Sequence, residues 1–182
     1  PATLGVDAAL PLEALDTVLP ERLAGQPAVW FPFAGPAGLA ARVGGWLEAL
    51  RAQARSGVAA PSQQRDLGPL LDDLRLFKDG HEIALLRRAG AIGAAAHARA
   101  MRACRPGLHE YALEAELLHE FRRQGAAGPA YPSIVATGAN ACILHHPAGE
   151  AELRDGELCL VDAGCEFGSY ASDITRCFPV NG

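Results

Sequence analysis

The strongest constraint on the fold lies in the last quarter of the chain, where two apolar runs flank a turn and each run carries one aspartate, Asp162 or Asp173. If Phe167 and Gly168 form a two-residue turn, the runs pair as an antiparallel hairpin with the two aspartates directly opposed. Directly opposed side chains share one face of a sheet with Cβ atoms about 4.5–5.5 Å apart, a distance at which like charges repel.

Two carboxylates that converge between apolar strands favour a bound cation, and hard divalent metals prefer such oxygen ligands. Two other interpretations remain open. The pair could share a proton without any metal, as close carboxylates do. Alternatively the turn is longer and the register moves by one residue, which would place the two acids on opposite faces of the sheet.

Composition places the chain among soluble globular proteins. Its 182 residues are 49% apolar and 20% charged, which suggests one domain, or one domain with part of another. No run approaches the roughly 20 apolar residues of a membrane span. The net charge of −5 comes without any basic block, so we expect neither a membrane nor a nucleic-acid partner. Five cysteines without a C-x-x-C pair do not form a disulfide framework, which favours a reducing cytoplasm.

Residues 1–64 read as part of an α/β domain with its linker. Strands and helices alternate along this stretch, as they do in α/β units. We predict strands at 3–6 and 28–31, helices at 12–23 and 37–55, and a polar linker at 56–65.

Residues 65–182 read as an α+β unit in which helices cover an antiparallel sheet. Asp79 is a suitable N-cap for a long helix, and Glu82 three residues later completes a capping box. The predicted helices are 69–76, 82–104 and 109–124, and the predicted strands are 133–136, 141–145, 157–164 and 169–178.

The run Val161-Asp-Ala-Gly164, followed by Ala171-Ser-Asp-Ile-Thr-Arg176, resembles the start of the metal site in the pita-bread metallopeptidases. That family includes aminopeptidase P, prolidase, methionine aminopeptidase and creatinase, and the likeness is greatest to the bacterial aminopeptidase P branch. It covers residues 76–182 well and the preceding residues loosely. The resemblance implies the first half of a pita-bread catalytic domain, preceded by the latter part of the family's N-terminal α/β domain.

The resemblance also implies roles for individual residues. Asp162 would bind one of two divalent metal ions, expected to be Mn²⁺, and Asp173 would bridge both. His145 would contact substrate from outside the metal shell. Tyr131 would lie close to the metals and hydrogen-bond a ligand carboxylate, although a packing role is equally compatible. Strand alternation, independently of the resemblance, places Thr175 on the face of Asp173, where its hydroxyl would hydrogen-bond a ligand carboxylate, although an ordinary β-strand threonine is equally compatible.

The function implied by the family is hydrolysis, by metal-activated water, of the bond between an N-terminal residue and a following proline, in an enzyme that is homo-oligomeric. Prolidase activity and a non-catalytic pita-bread binding module are the alternatives. The family takes one histidine and two glutamate ligands from farther downstream, and two carboxylates cannot fill the roughly 6 positions of a hard cation. We therefore expect the chain to be a fragment that is inactive alone. Because side chains alternate along a strand, His146 is expected to face away from His145.

Overall fold

The computed structural model describes residues 5–181. Contacts divide the chain into two units, Pro1–Phe77 and Lys78–Gly182. The predicted domain division at residue 64 stays a prediction. The strand predicted at 3–6 lies partly outside the described residues, and Gly5 and Val6 are not in a strand. No helix in the described part of the chain has the length and apolar character needed to cross a membrane.

The first unit has the predicted alternation of helices and strands. Its elements are α1 (Leu15–Leu23), β1 (Ala28–Phe31), α2 (Leu39–Ala52), β2 (Gln63–Asp66) and α3 (Gly68–Leu76). Strands β1 and β2 pair in parallel, and their helices bury a small core around Trp46 and Leu47. The prediction of a linker through residue 65 is wrong, because exposed polar residues such as Gln63 and Arg65 form β2 by pairing with β1, and the Arg65 guanidinium also lies 5.1 Å from the ring centroid of Trp30.

In the second unit, two long helices form one layer. Helix α4 (Gly80–Ala103) begins with the predicted capping box, in which Asp79 accepts from the Glu82 amide and Glu82 accepts from the Asp79 amide. Helix α5 (Glu110–Arg123) buries an apolar stripe of Leu113, Leu117 and Phe121 against the alanine-rich face of α4. The small alanine side chains allow the helices and sheet to approach closely.

Two antiparallel sheets complete the second unit. Strands β4 (Ile134–Thr137), β5 (Leu158–Ala163) and β8 (Ile174–Pro179) form one sheet in the order β4-β5-β8. Strands β3 (Gly128–Pro129), β6 (Cys165–Phe167) and β7 (Tyr170–Ala171) form the other in the order β3-β6-β7. Along β5, Cys159, Val161 and Ala163 are buried in the core that α4 and α5 also line, and Asp162 therefore projects from the other face.

The observed hairpin register differs from the predicted one. The two turn residues are Gly168 and Ser169, both with positive φ angles of 58° and 66°, a backbone that matches the right-handed twist of the strands. Asp162 consequently lies opposite Thr175, and the prediction that it lies directly opposite Asp173 is wrong. A shift of the turn by one residue shifts every cross-strand pairing by two residues. Because side chains alternate between the faces with a period of two, Asp162 and Asp173 still lie on the same face.

The strand predicted at 141–145 is also wrong. The chain there forms a 3₁₀ helix, Gly138–Cys142, followed by a turn in which His145 adopts a φ of 56°. This segment is the first part of the loop that joins β4 to β5, and the loop carries His145 and His146.

Candidate metal centre

The two aspartates converge on one tyrosine. The Tyr131 hydroxyl oxygen lies 2.6 Å from Oδ1 of Asp162 and 3.0 Å from Oδ1 of Asp173. The Oδ1 atoms of Asp162 and Asp173 therefore lie close to each other, although the two residues are not paired directly in the sheet. Burial, and then the two hydrogen-bonded carboxylates, raise the pKa of Tyr131 far above its ordinary value. The phenol consequently keeps its single proton and donates it to one carboxylate at a time.

Gly164 allows this convergence. A Cβ at this position would lie 1.7 Å from the Ser172 carbonyl oxygen and 3.1 Å from Cε1 of Tyr131. Only a residue without a side chain can occupy such a gap. The glycine that follows Asp162 and Ala163 therefore lets the two arms of the hairpin approach each other where both acids lie.

A second close approach places the hairpin on helix α4. Ser172 is buried, and its hydroxyl accepts a 3.0 Å hydrogen bond from the Cys165 amide. Gly93 of α4 lies against it, since a Cβ there would be 2.8 Å from Ser172 Oγ. This packing fixes the backbone immediately before Asp173, whose own side chain is exposed.

The carboxylates and both histidines border one cavity of about 500 Å³. Its lining comes from the β3–β4 connection, the loop after β4 and the two acids, namely Tyr131, Pro132, Ser133, Ile134, His145, His146, Pro147, Asp162 and Asp173. Strand alternation would have placed only one of His145 and His146 at the site, but both border this cavity, because the segment is a turn rather than a strand. Thr175 borders an adjoining cavity of about 300 Å³ together with Asp162 and His145, and its support of a ligand carboxylate stays a prediction.

Two buried residues beside the site, His97 and Glu110, were not predicted from the sequence. His97 of α4 is buried and donates from Nε2 to the Ala163 carbonyl oxygen at 3.1 Å, next to Asp162 in the chain. Burial lowers the pKa of His97, and its Nδ1 has no hydrogen-bond partner among the described residues. Glu110, the first residue of α5, is fully buried and accepts from His146. Neither contact has a local sequence signal, since the partners are 66 and 36 residues apart.

The donor chemistry fits a hard divalent metal ion, but the number of donors is small. Asp162 and Asp173 offer carboxylate oxygens, which suit such ions. Within residues 5–181 there is no group of three or more His, Cys, Asp or Glu side chains that could hold a metal. A hard cation takes about 6 or more ligands, so these two acids can provide only part of a coordination shell.

Comparisons with known proteins agree with this chemistry. Residues 84–182 match metallopeptidase family M24. Over its whole length the chain is 49% identical to the Xaa-Pro aminopeptidase of Escherichia coli and 42% identical to that of Haemophilus influenzae. It spans 41% and 40% of those two proteins.

Solved structures give the same result. A variant of Escherichia coli aminopeptidase P in complex with substrate superimposes with a TM-score of 0.93 at 49% identity, over the whole chain and 41% of that structure. Proline aminopeptidase P II from Yersinia pestis superimposes with a TM-score of 0.92 at 50% identity, over the whole chain and 42% of that structure. These matches confirm the predicted α+β fold, the first part of a pita-bread domain with α/β structure before it.

Proposed function

The chain belongs to metallopeptidase family M24, and on that basis we propose that it supplies part of the active site of an Xaa-Pro aminopeptidase. Such an enzyme hydrolyses the bond between an N-terminal residue and a following proline. The observation that carries the proposal is the convergence of Asp162 and Asp173 on Tyr131, in the wall of a cavity that also holds His145. The relatives that bear this activity in their names support it.

In this proposal Asp162 and Asp173 hold two divalent ions together with ligands that this chain does not provide. Carboxylate oxygens suit Mg²⁺, Ca²⁺ and Mn²⁺ alike, and of these we propose Mn²⁺, the metal that the family resemblance implies. Bound there, two such ions would supply Lewis-acid chemistry, namely a water molecule of lowered pKa and a polarised scissile carbonyl. Tyr131 would hold the two carboxylates close to one point, as hydrogen-bond partners of metal ligands do.

His145 serves the substrate rather than the metal. It is exposed within the cavity wall, and an imidazole can donate or accept a proton near neutral pH. It would hydrogen-bond the substrate carbonyl and steady the charge that develops on it. Proline's tertiary amide and fixed φ make its peptide bond a poor fit for general peptidases, so a dedicated site of this kind is chemically reasonable.

We also propose an assembly state and a cellular location for the complete protein. The complete protein would act on peptides with proline in second position and would form a homo-oligomer. All five cysteines are free thiols, two of them buried, which supports a reducing cytoplasmic location.

The test begins with intact mass spectrometry of the native protein, which shows whether its chain is longer, and peptide sequencing then shows whether the additional part carries a histidine and two glutamates. The metal-free native protein is then loaded with Mn²⁺ and assayed on an Xaa-Pro-Xaa tripeptide, an Xaa-Pro dipeptide and an Xaa-Ala-Xaa tripeptide. We expect turnover of the proline tripeptide only. Turnover of the dipeptide alone would identify a prolidase, and no turnover of any peptide would favour a binding module.

Two variants link that turnover to this site. Asp162→Asn should abolish both metal retention and turnover, whereas the matched change Asp73→Asn, on the exposed surface of α3, should alter neither. Retention of metal and activity by Asp162→Asn would refute the proposed ligand. The 182-residue chain alone should be inactive and should retain metal weakly or not at all.

A further inference from the structure

We propose that Glu110 is a positioning residue for His145, and that its buried carboxylate fixes the loop that presents this imidazole to the cavity. The inference rests on the proposed function, because it assigns Glu110 a part in the same site. Glu110 begins α5, and its side chain is 0% exposed. A buried carboxylate is costly unless its oxygens are fully hydrogen-bonded, so the identity of its partners decides what it is for.

All four of the side-chain hydrogen bonds that Glu110 accepts come from residues 137–149, which comprise the last residue of β4 and the first part of the loop that leads to β5. Oε1 accepts from the Thr137 amide at 2.9 Å and from Asn140 Nδ2 at 3.0 Å. Oε2 accepts from His146 Nε2 at 2.9 Å and from the Gly149 amide at 3.0 Å. One carboxylate thus holds the end of β4 and three residues of the loop that follows it, among them both Asn140 before His145 and Gly149 after it.

This segment has little regular secondary structure, although Pro147 forms an isolated β-bridge with Ile134. Its regular part is a single 3₁₀ helix of five residues, Gly138–Cys142. Beyond it, His145 has a φ of 56°, a conformation that residues with a side chain rarely adopt unless the surroundings impose it. Since His146 is held by Glu110, the peptide unit that joins the two histidines is held as well.

The charge of Glu110 matters as much as its shape. Burial raises the pKa of Glu110, but the hydrogen bonds from Asn140, His146 and the two backbone amides outweigh it, and the pKa lies below its usual value. An ionised carboxylate only accepts hydrogen bonds, which suits four donors. Glutamine has the same size but brings an NH₂ group, which would face two of those donors. Glu110→Gln should therefore release one end of the loop.

The experiment measures kcat and KM of the full-length native protein, loaded with Mn²⁺, on an Xaa-Pro-Xaa tripeptide. Glu110→Gln should lower kcat by roughly 10- to 100-fold with metal content unchanged, because displacement of a catalytic group by about 1 Å has effects of that size. Since Glu110 acts through His145, it should cause no further loss of kcat in a His145→Ala background. Unchanged kcat, or full additivity of the two changes, would overturn the inference.

A control and a milder variant separate positioning from folding. Glu120 is another buried glutamate of α5, and its partners Arg99, Arg123 and Gln124 lie outside the loop. Glu120→Gln should reduce stability and leave kcat unchanged. If Glu110→Gln does not fold, Asn140→Ala removes one loop donor and keeps the carboxylate. It should lower kcat several-fold, again only while His145 is present, and an unchanged kcat in Asn140→Ala would overturn the inference.

Failure of the proposed function is distinguishable from failure of this inference. A wild-type protein that binds Mn²⁺ but does not cleave the tripeptide would refute the function, and with it the role in positioning a catalytic group. Amide hydrogen exchange at Thr137 and Gly149 reports on the loop itself. Faster exchange at both amides in Glu110→Gln would support the hold on the loop, and unchanged exchange would refute it.

Discussion

Gly164→Ala gives the sharpest test of how the two aspartates are brought together. The added Cβ would lie 1.7 Å from the Ser172 carbonyl oxygen, half of the shortest ordinary contact of 3.4 Å. The obstructing atom belongs to the backbone, so no rotamer change can relieve the overlap, and the arms of the hairpin must separate. Overpacking of this kind costs about 3 kcal/mol, and a displacement of about 1 Å at a reacting centre lowers turnover roughly 100-fold.

The assay compares Gly164→Ala with Gly90→Ala in the full-length native protein. Gly90 lies within α4, and a Cβ there would meet nothing within 4 Å. The same substitution should therefore stabilise the helix by up to about 1 kcal/mol. Urea denaturation gives the two stabilities, and metal content and kcat report on the site. A Gly164→Ala protein with normal stability and normal metal content would refute the argument that close backbone approach creates the site.

Three further outcomes are expected. Tyr131→Phe keeps the ring but removes the proton shared with Asp162 and Asp173, so titration with Mn²⁺ should show an affinity about 10- to 100-fold weaker; unchanged affinity would leave Tyr131 a packing residue. Hydrogen bonds, chiefly from Arg123, lower the pKa of Glu120 from 4.5 to about 2. The contribution of Glu120 to stability is therefore complete above pH 4.5 and is lost as the pH falls towards 2. Urea denaturation across that range should show a shallower loss of stability for Glu120→Gln than for the wild type, and parallel curves would contradict this assignment. Dialysis against a chelator should abolish turnover of the proline tripeptide by the native protein, and Mn²⁺ should restore it; turnover that survives complete metal removal would contradict the proposed chemistry.

The face of the hairpin that carries the acids was predictable from sequence, but its register was not. Asp162 and Asp173 share a face at any even shift, so alternation alone identifies the pair. The register depends on which two residues form the turn. Ser169 occupies a left-handed conformation that is uncommon for a residue with a side chain, and this places the turn at Gly168 and Ser169 instead of Phe167 and Gly168.

The helices were predictable because their signals are local. The capping box of Asp79 and Glu82 and the stripe on α5 lie within a few turns of the elements that they define. The loop between β4 and β5 has no such signal, since it donates hydrogen bonds to Glu110, which precedes His146 by 36 residues. The apolar run 141–145 therefore looks like a strand in the sequence and folds as a helical turn.

The side chains of strand β5 alternate between a face that packs in the core and a face that carries Asp162. Cys159, Val161 and Ala163 are fully buried against the helices, so the strand is held by its inward face. Asp162 projects from the other face and is only partly buried, which spares its carboxylate most of the desolvation that the core would impose. The charge can therefore be retained for a cation without weakening the core. If Asp162 binds metal as proposed, Asp162→Asn should reduce metal content more than stability, and a cavity-forming change at Val161 should do the reverse.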